Sequence, residues 1–153
     1  MSTENIIISR VSSKKEMKEF VRFNYELYKD NPYAVPDLLE DTLDTFNKKK
    51  NPAFRFCEAE WFLARRNGKI VGRICAIINH KANEQWNQKT VRFGWIDFID
   101  DTEVSGLLLQ AVEDWGKERG MNKMVGPLGF TDMDLEGMLT EGYDQLSTMN
   151  SIY

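Results

Sequence analysis

Asp97 stands between Trp95 and Ile99 in a run of strand-forming residues. A carboxylate held among apolar neighbours has its charged form penalised, which raises its pKa toward that of a useful proton acceptor. The same position suits a carboxylate that is hydrogen-bonded structure and nothing more. His80 is the sole histidine and falls where a strand should end. An unperturbed imidazole has its pKa near neutrality, so this residue is a second candidate for proton transfer, with an ordinary surface residue as the alternative.

Asp100, Asp101 and Glu103 precede an apolar-periodic stretch that starts at Val104, where one acid suits a helix cap and the others suit the positive end of the helix dipole. The segment Asp132-Met133-Asp134-Leu135-Glu136-Gly137 begins like a calcium loop, but the twelfth position is Tyr143 instead of a bidentate glutamate, and a solvated acidic turn accounts for it. Cys57 and Cys75 have neither a CxxC spacing nor companion histidines. No metal site and no disulfide framework is expected, and a reducing cytoplasm fits. No serine or cysteine occupies a nucleophile-elbow pattern.

These residues must be positioned by elements that the pattern also predicts. Ile6 to Ile8 and Val11 read as a strand, followed by Ser13-Lys14-Lys15-Glu16 as a capping box and a helix whose face carries Met17, Phe20, Val21, Asn24, Leu27 and Tyr28. Pro36 suits the first turn of a second helix with Leu39, Leu43 and Phe46 on one face. Trp61 to Arg65 and Lys69 to Ile78 form a hairpin about Asn67-Gly68.

A polar connector from Lys81 to Lys89 leads to a third strand, Thr90 to Ile99. Unbroken alternation would put Phe93, Trp95, Asp97 and Ile99 on one face and Gly94, Ile96 and Phe98 on the other, with Gly94 a candidate bulge. Val104, Leu107, Leu108, Ala111, Val112 and Trp115 describe an amphipathic helix ending at Arg119-Gly120. Lys123 to Val125 then returns as a strand, and strand-helix-strand implies a parallel pair and a mixed sheet. Beyond Gly126-Pro127 at most one short helix is expected, near Leu135 to Thr140.

The chain has 153 residues and a net charge of −4, with basic clusters only at Lys48-Lys49-Lys50 and Arg65-Arg66. One domain over 1–153 and no nucleic-acid partner follow. The N-terminus offers only three consecutive isoleucines, too few for a signal core or a membrane span.

This order of elements resembles that of the GNAT N-acetyltransferases, over most of the chain. Leu107-Leu108-Leu109 through Glu113-Asp114-Trp115-Gly116-Lys117-Glu118-Arg119-Gly120 is similar to the helix that follows that family's fourth strand. Asn51-Pro52-Ala53-Phe54, Gly68 to Arg73 and Gly126-Pro127 are similar to a GNAT-related group of bacterial proteins, mostly of unknown substrate and longer than this chain. The resemblance implies an α/β (α+β) fold, a mixed central sheet with helices on both faces.

It also implies an N-acetyltransferase-like activity. Acetyl-CoA would be the donor, bound near Phe98, Ile99, Val104, Ser105 and Gly106, and an unidentified small-molecule or peptide amine the acceptor. The amine would attack a thioester polarised by N–H groups of the Phe93 to Phe98 strand, with Asp97 or His80 taking a proton.

The chain departs from the family in two places. The Q/R-x-x-G-x-G/A pyrophosphate loop falls on Asp100 to Ser105, where Asp100, Asp101 and Glu103 repel a diphosphate. The family's final helix, with its tyrosine, and its last two strands are not found before Tyr153. An incomplete domain is thus expected, with a homodimer formed through the C-terminal region or an open sheet edge. The competing reading is a non-catalytic binding or assembly module that retains the fold.

Overall fold

The computed structural model describes residues 5–147. Strand β1 spans Ile6–Arg10, followed by helix α1 at Lys14–Leu27, helix α2 at Leu39–Thr45 and a single 3-10 turn at Pro52–Arg55. Strands β2 at Cys57–Arg66 and β3 at Lys69–Asn79 form the hairpin. Helix α3 at His80–Gln85, strand β4 at Thr90–Phe98, helix α4 at Thr102–Glu118 and strand β5 at Lys123–Val125 complete the series.

Local chemistry sets most boundaries. Ser13 accepts a hydrogen bond from the Glu16 N–H at 3.1 Å, and the Glu16 carboxylate in turn accepts from the Ser12 and Ser13 hydroxyls. Asn67 and Gly68 both have positive φ, 51° and 75°, which is what a two-residue turn matched to strand twist requires. At the far end of α4 the chain passes through Arg119 into Gly120, at φ 77°, a left-handed residue just beyond the cap.

Two helix expectations need correction. Pro36 lies outside α2, which starts at Leu39 with no side-chain cap. The stretch read as a plain connector contains α3, because the Asn79 side chain accepts from the Ala82 N–H at 2.9 Å and starts a helix too short to show a period.

The five-stranded sheet runs β1-β2-β3-β4-β5, antiparallel except for the last pair. Val104, Leu108, Val112 and Trp115 of α4 pack on one face with Ala64, Ile74 and Ile78. Gly72 lets α4 approach, since a Cβ there would lie 2.8 Å from Leu108 Cδ1 and 2.9 Å from Val104 Cγ1. On the other face, Phe20 and Val21 of α1, Phe46, Trp61, Leu63, Cys75, Ile77 and Phe130 form a second core, so helices cover both faces. Each such side chain taken fully out of water contributes about 1.5–3 kcal/mol.

After β5 the described residues hold no further strand, and no helix forms near Leu135 to Thr140. The chain instead folds back over its own sheet. Leu128 N–H bonds to the Phe93 carbonyl at 2.8 Å, and Phe130 is fully buried, with its ring 5.0 Å from Phe54 and 5.8 Å from Trp95. Part of the apolar surface expected to need a second copy is therefore covered from within. Met133, Met138, Leu139 and Leu146 remain exposed. Among the described residues no helix is long and apolar enough to cross a membrane.

Candidate functional site

β4 changes character along its length. Its first residues, Thr90 to Arg92, pair with β5, and the last backbone bond from that side is Leu128 to Phe93. Facing β3, the register runs Ala76 with Phe93, Cys75 with Gly94, then Arg73 with Asp97, so β4 carries one extra residue. Trp95 sits in that bulge at φ 44°, a left-handed conformation rare for a bulky residue. Beyond it β4 keeps its β3 partner and leaves the side of β5.

The bulge corrects the expected faces. Trp95 packs in the α1-side core, whereas Phe93, Ile96, Phe98 and Ile99 all pack on the α4 side. Asp97 pairs with Arg73 and its side chain turns to the α1 side, where a network forms. The Arg73 guanidinium, on a side chain 3% exposed, donates to Asp97 Oδ2 from Nε at 3.0 Å and from Nη2 at 2.7 Å. Its Nη1 donates to the Phe20 and Val21 carbonyls of α1 at 2.9 and 3.3 Å. The Tyr28 hydroxyl donates to Asp97 Oδ1 at 2.7 Å.

Burial, and then the Asp97 charge, hold the Tyr28 hydroxyl well above the usual phenol range. Asp37, between α1 and α2, lies within electrostatic reach of the same cluster. Burial pushes its carboxyl up, Arg73 opposes that, and Asp97 reinforces it. The Tyr25 hydroxyl donates to the Asp37 carbonyl.

At the other end of this strand's exit, Asp101 caps α4, accepting from the Glu103 N–H at 2.9 Å and pairing with Arg66 Nη2 at 2.5 Å. The Arg66 hydrogen bond, then the Glu103 N–H, hold the Asp101 carboxyl below its ordinary value. Of the residues assigned to donor binding, Val104 in the first turn of α4 is fully buried against the sheet, and the Ser105 hydroxyl donates to the Thr102 carbonyl at 3.1 Å. Phe98 pairs with Gly72, Ile99 N–H bonds to Val71, and a Cβ at Gly106 would meet open space. Asp101 thus takes the Glu103 N–H of this terminus, and its carboxylate would repel a diphosphate placed there.

No family model matches the chain. It is 35% identical over 132 residues to Protein YghO of Escherichia coli (strain K12), covering 86% of this chain and 34% of that protein. It is 33% identical over 135 residues to the bacterial ceramide synthase of Caulobacter vibrioides, covering 88% and 35%. The chain thus spans about a third of the length of these curated relatives. A predicted acetyltransferase with acetyl-CoA from Clostridium acetobutylicum superposes at TM-score 0.57 and 13% identity, covering 82% of each chain. FeeM, an N-acyl amino acid synthase from uncultured soil microbes, gives 0.55 at 13%, covering 82% of this chain and 74% of that one. A tandem GNAT protein from the clavulanic acid biosynthesis pathway gives 0.57 at 11%, covering 76% and 34%.

The chain has the GNAT fold.

Within this GNAT fold the two candidates for proton transfer lie apart. His80 Nε2 is 2.7 Å from Glu58 Oε2 on an exposed surface, just past Asn79 at the end of β3, whereas Arg73 lies in the middle of that strand. Arg73 and Asn79 are six residue steps apart along β3, about 20 Å. Asp134 is not arranged as a calcium ligand: Oδ2 accepts from Thr131 N–H at 3.0 Å, and burial raises its carboxyl. Among the described residues no group of three or more His, Cys, Asp or Glu side chains could hold a metal ion.

Sequence reasoning missed Arg73 and Asp37. A signal for Arg73 existed, since a lone cation inside the apolar run Ile70 to Ile78 calls for a buried partner.

Proposed function

We propose that this chain carries the acyl-transfer core of an N-acyltransferase that joins a fatty acyl group from a thioester to the amine of a long-chain acceptor. The observation that carries the reading is the bulged end of β4 facing α1, with Asp97, Arg73 and Tyr28 beside it. Such an edge supplies peptide N–H groups to polarise a thioester carbonyl, and the acidic wall opposite suits a cationic amine. Two similar proteins support the choice of product. One is called a bacterial ceramide synthase, a ceramide being the amide of a fatty acid and a long-chain amino alcohol, and the other an N-acyl amino acid synthase.

The amine nitrogen attacks the thioester carbonyl carbon, the C–N bond forms, and the C–S bond breaks to release a thiol. Arg73 holds Asp97 and the α1 carbonyls in fixed relation, so the acceptor wall and the thioester strand keep their spacing. The occupied α4 N-terminus means that donor affinity comes from the acyl chain and the β4 edge more than from a diphosphate. Incubation with long-chain acyl-CoA and a long-chain amino alcohol should release free thiol and the amide together. Thiol release without amide would reject the acceptor class.

A second reading is favoured by Asp101 itself: a GNAT fold whose anion position is filled by its own side chain can serve as a binding module. Binding of a long-chain amine with no turnover of any acyl thioester would support it.

A further inference from the structure

We propose that Asp37 is the catalytic base that takes the proton of the acceptor amine, an inference that rests on the acyl-transfer reading above. Two carboxylates, Asp97 and Asp37, act on this wall, and they differ in what they have left to offer. Asp97 Oδ2 accepts two bonds from Arg73 and Oδ1 accepts one from Tyr28. The Asp37 carboxylate accepts no hydrogen bond among the described residues, while its carbonyl is gripped by Tyr25 and its backbone is thereby fixed against α1.

The groups acting on Asp37 are the Arg73 guanidinium and the Asp97 carboxylate, and Asp37 acts in turn on the Tyr25 hydroxyl. Tyr28 stands behind Asp97 and faces it. Arg22 of α1 also acts on the Tyr25 hydroxyl; among the groups that act on Asp37 itself, the two carboxylates against the Arg73 guanidinium leave one negative charge, the complement of an ammonium ion. Burial raises the Asp37 pKa, so its carboxylate is a stronger base than an exposed aspartate.

The bound ammonium first gives one proton to solvent, and as the free amine nitrogen then bonds to the thioester carbon, its next proton passes to the Asp37 carboxylate. The adduct collapses, the C–S bond breaks, and the sulfur leaves with the electron pair. The thiolate is protonated through solvent by the proton that Asp37 gives up. Amide and thiol are the products, and Asp37 is restored.

The test compares wild type with Asp37→Asn, using a long-chain acyl-CoA and a long-chain amino alcohol across a pH series. The variant should lose about 10²–10⁴-fold in kcat with little change in KM for the acyl thioester, and Asp37→Glu should restore part of the loss. Asp97→Asn removes the like charge and frees Arg73 to act on Asp37. Both effects lower the Asp37 pKa, so the acid limb of the kcat/KM profile should move to lower pH. If Asp37→Asn fails to fold, this shift decides the matter. Wild-type kcat in a folded Asp37→Asn, or an unmoved acid limb in Asp97→Asn, overturns the assignment and leaves the acyl-transfer reading standing. An inactive wild type overturns both.

Discussion

Arg73 Nη2 lies 2.7 Å from Asp97 Oδ2 across the place where β4 carries one residue more than β3. The pair ties the bulged end of one strand to its neighbour, and the rest of the guanidinium ties both to α1 through the Phe20 and Val21 carbonyls. Arg73→Met should therefore strand a mostly buried carboxylate and cost about 3–5 kcal/mol in denaturant unfolding. Arg73→Met combined with Asp97→Leu should lose clearly less than the sum of the single changes, because no charge is left unpaired. Additive losses would mean that the two groups do not depend on each other.

Gly94 is where the returning chain crosses β4. A Cβ there would lie 2.4 Å from the Leu128 carbonyl oxygen, backbone that cannot swing aside. Gly94→Ala should push residues 128–130 off the sheet, cost about 1–3 kcal/mol, and expose Phe130. Its contact with Trp95 gives a readout, a red shift in tryptophan emission, and an unshifted spectrum with unchanged stability would contradict this packing.

Asp101 holds its carboxylate at the N-terminus of α4. Asp101→Ser keeps an oxygen to cap the helix and removes the charge, so coenzyme A should bind more tightly to the variant than to wild type, by calorimetry. Equal or weaker binding would show that the carboxylate does not set donor affinity. The same change should lower Tm near neutral pH through loss of the Arg66 pair. Because the folded-state pKa of Asp101 lies below its ordinary value, this stability is present above the usual carboxylate range and fades as pH falls through the lowered value.

Much of this architecture can be read from short-range signals. Ser13 and Glu16 mark the start of α1, Asn67-Gly68 the hairpin, and Arg119-Gly120 the end of α4. The site is less legible, because its geometry depends on one inserted residue. Alternation assumes an unbroken pleat, and the bulge at Trp95 puts Phe93 and Asp97 on opposite faces. Asp97 is visible as an acid in a strand, but its partners are 24 and 69 positions away, and nothing local names them. Asp37 has no periodicity at all in a connector. The return of Phe130 to the core is likewise a long-range packing event, which the weak pattern after Gly126 does not encode.

The most direct test is mass-spectrometric detection of amide product when the protein is given a long-chain acyl-CoA and a long-chain amino alcohol, with thiol release followed in parallel. Amide and thiol should appear in equal amounts, at a rate that falls steeply when Asp37 is changed to asparagine. A folded protein that forms no amide from any acyl thioester and amine, while still binding the amine, would contradict acyl transfer and favour a binding module.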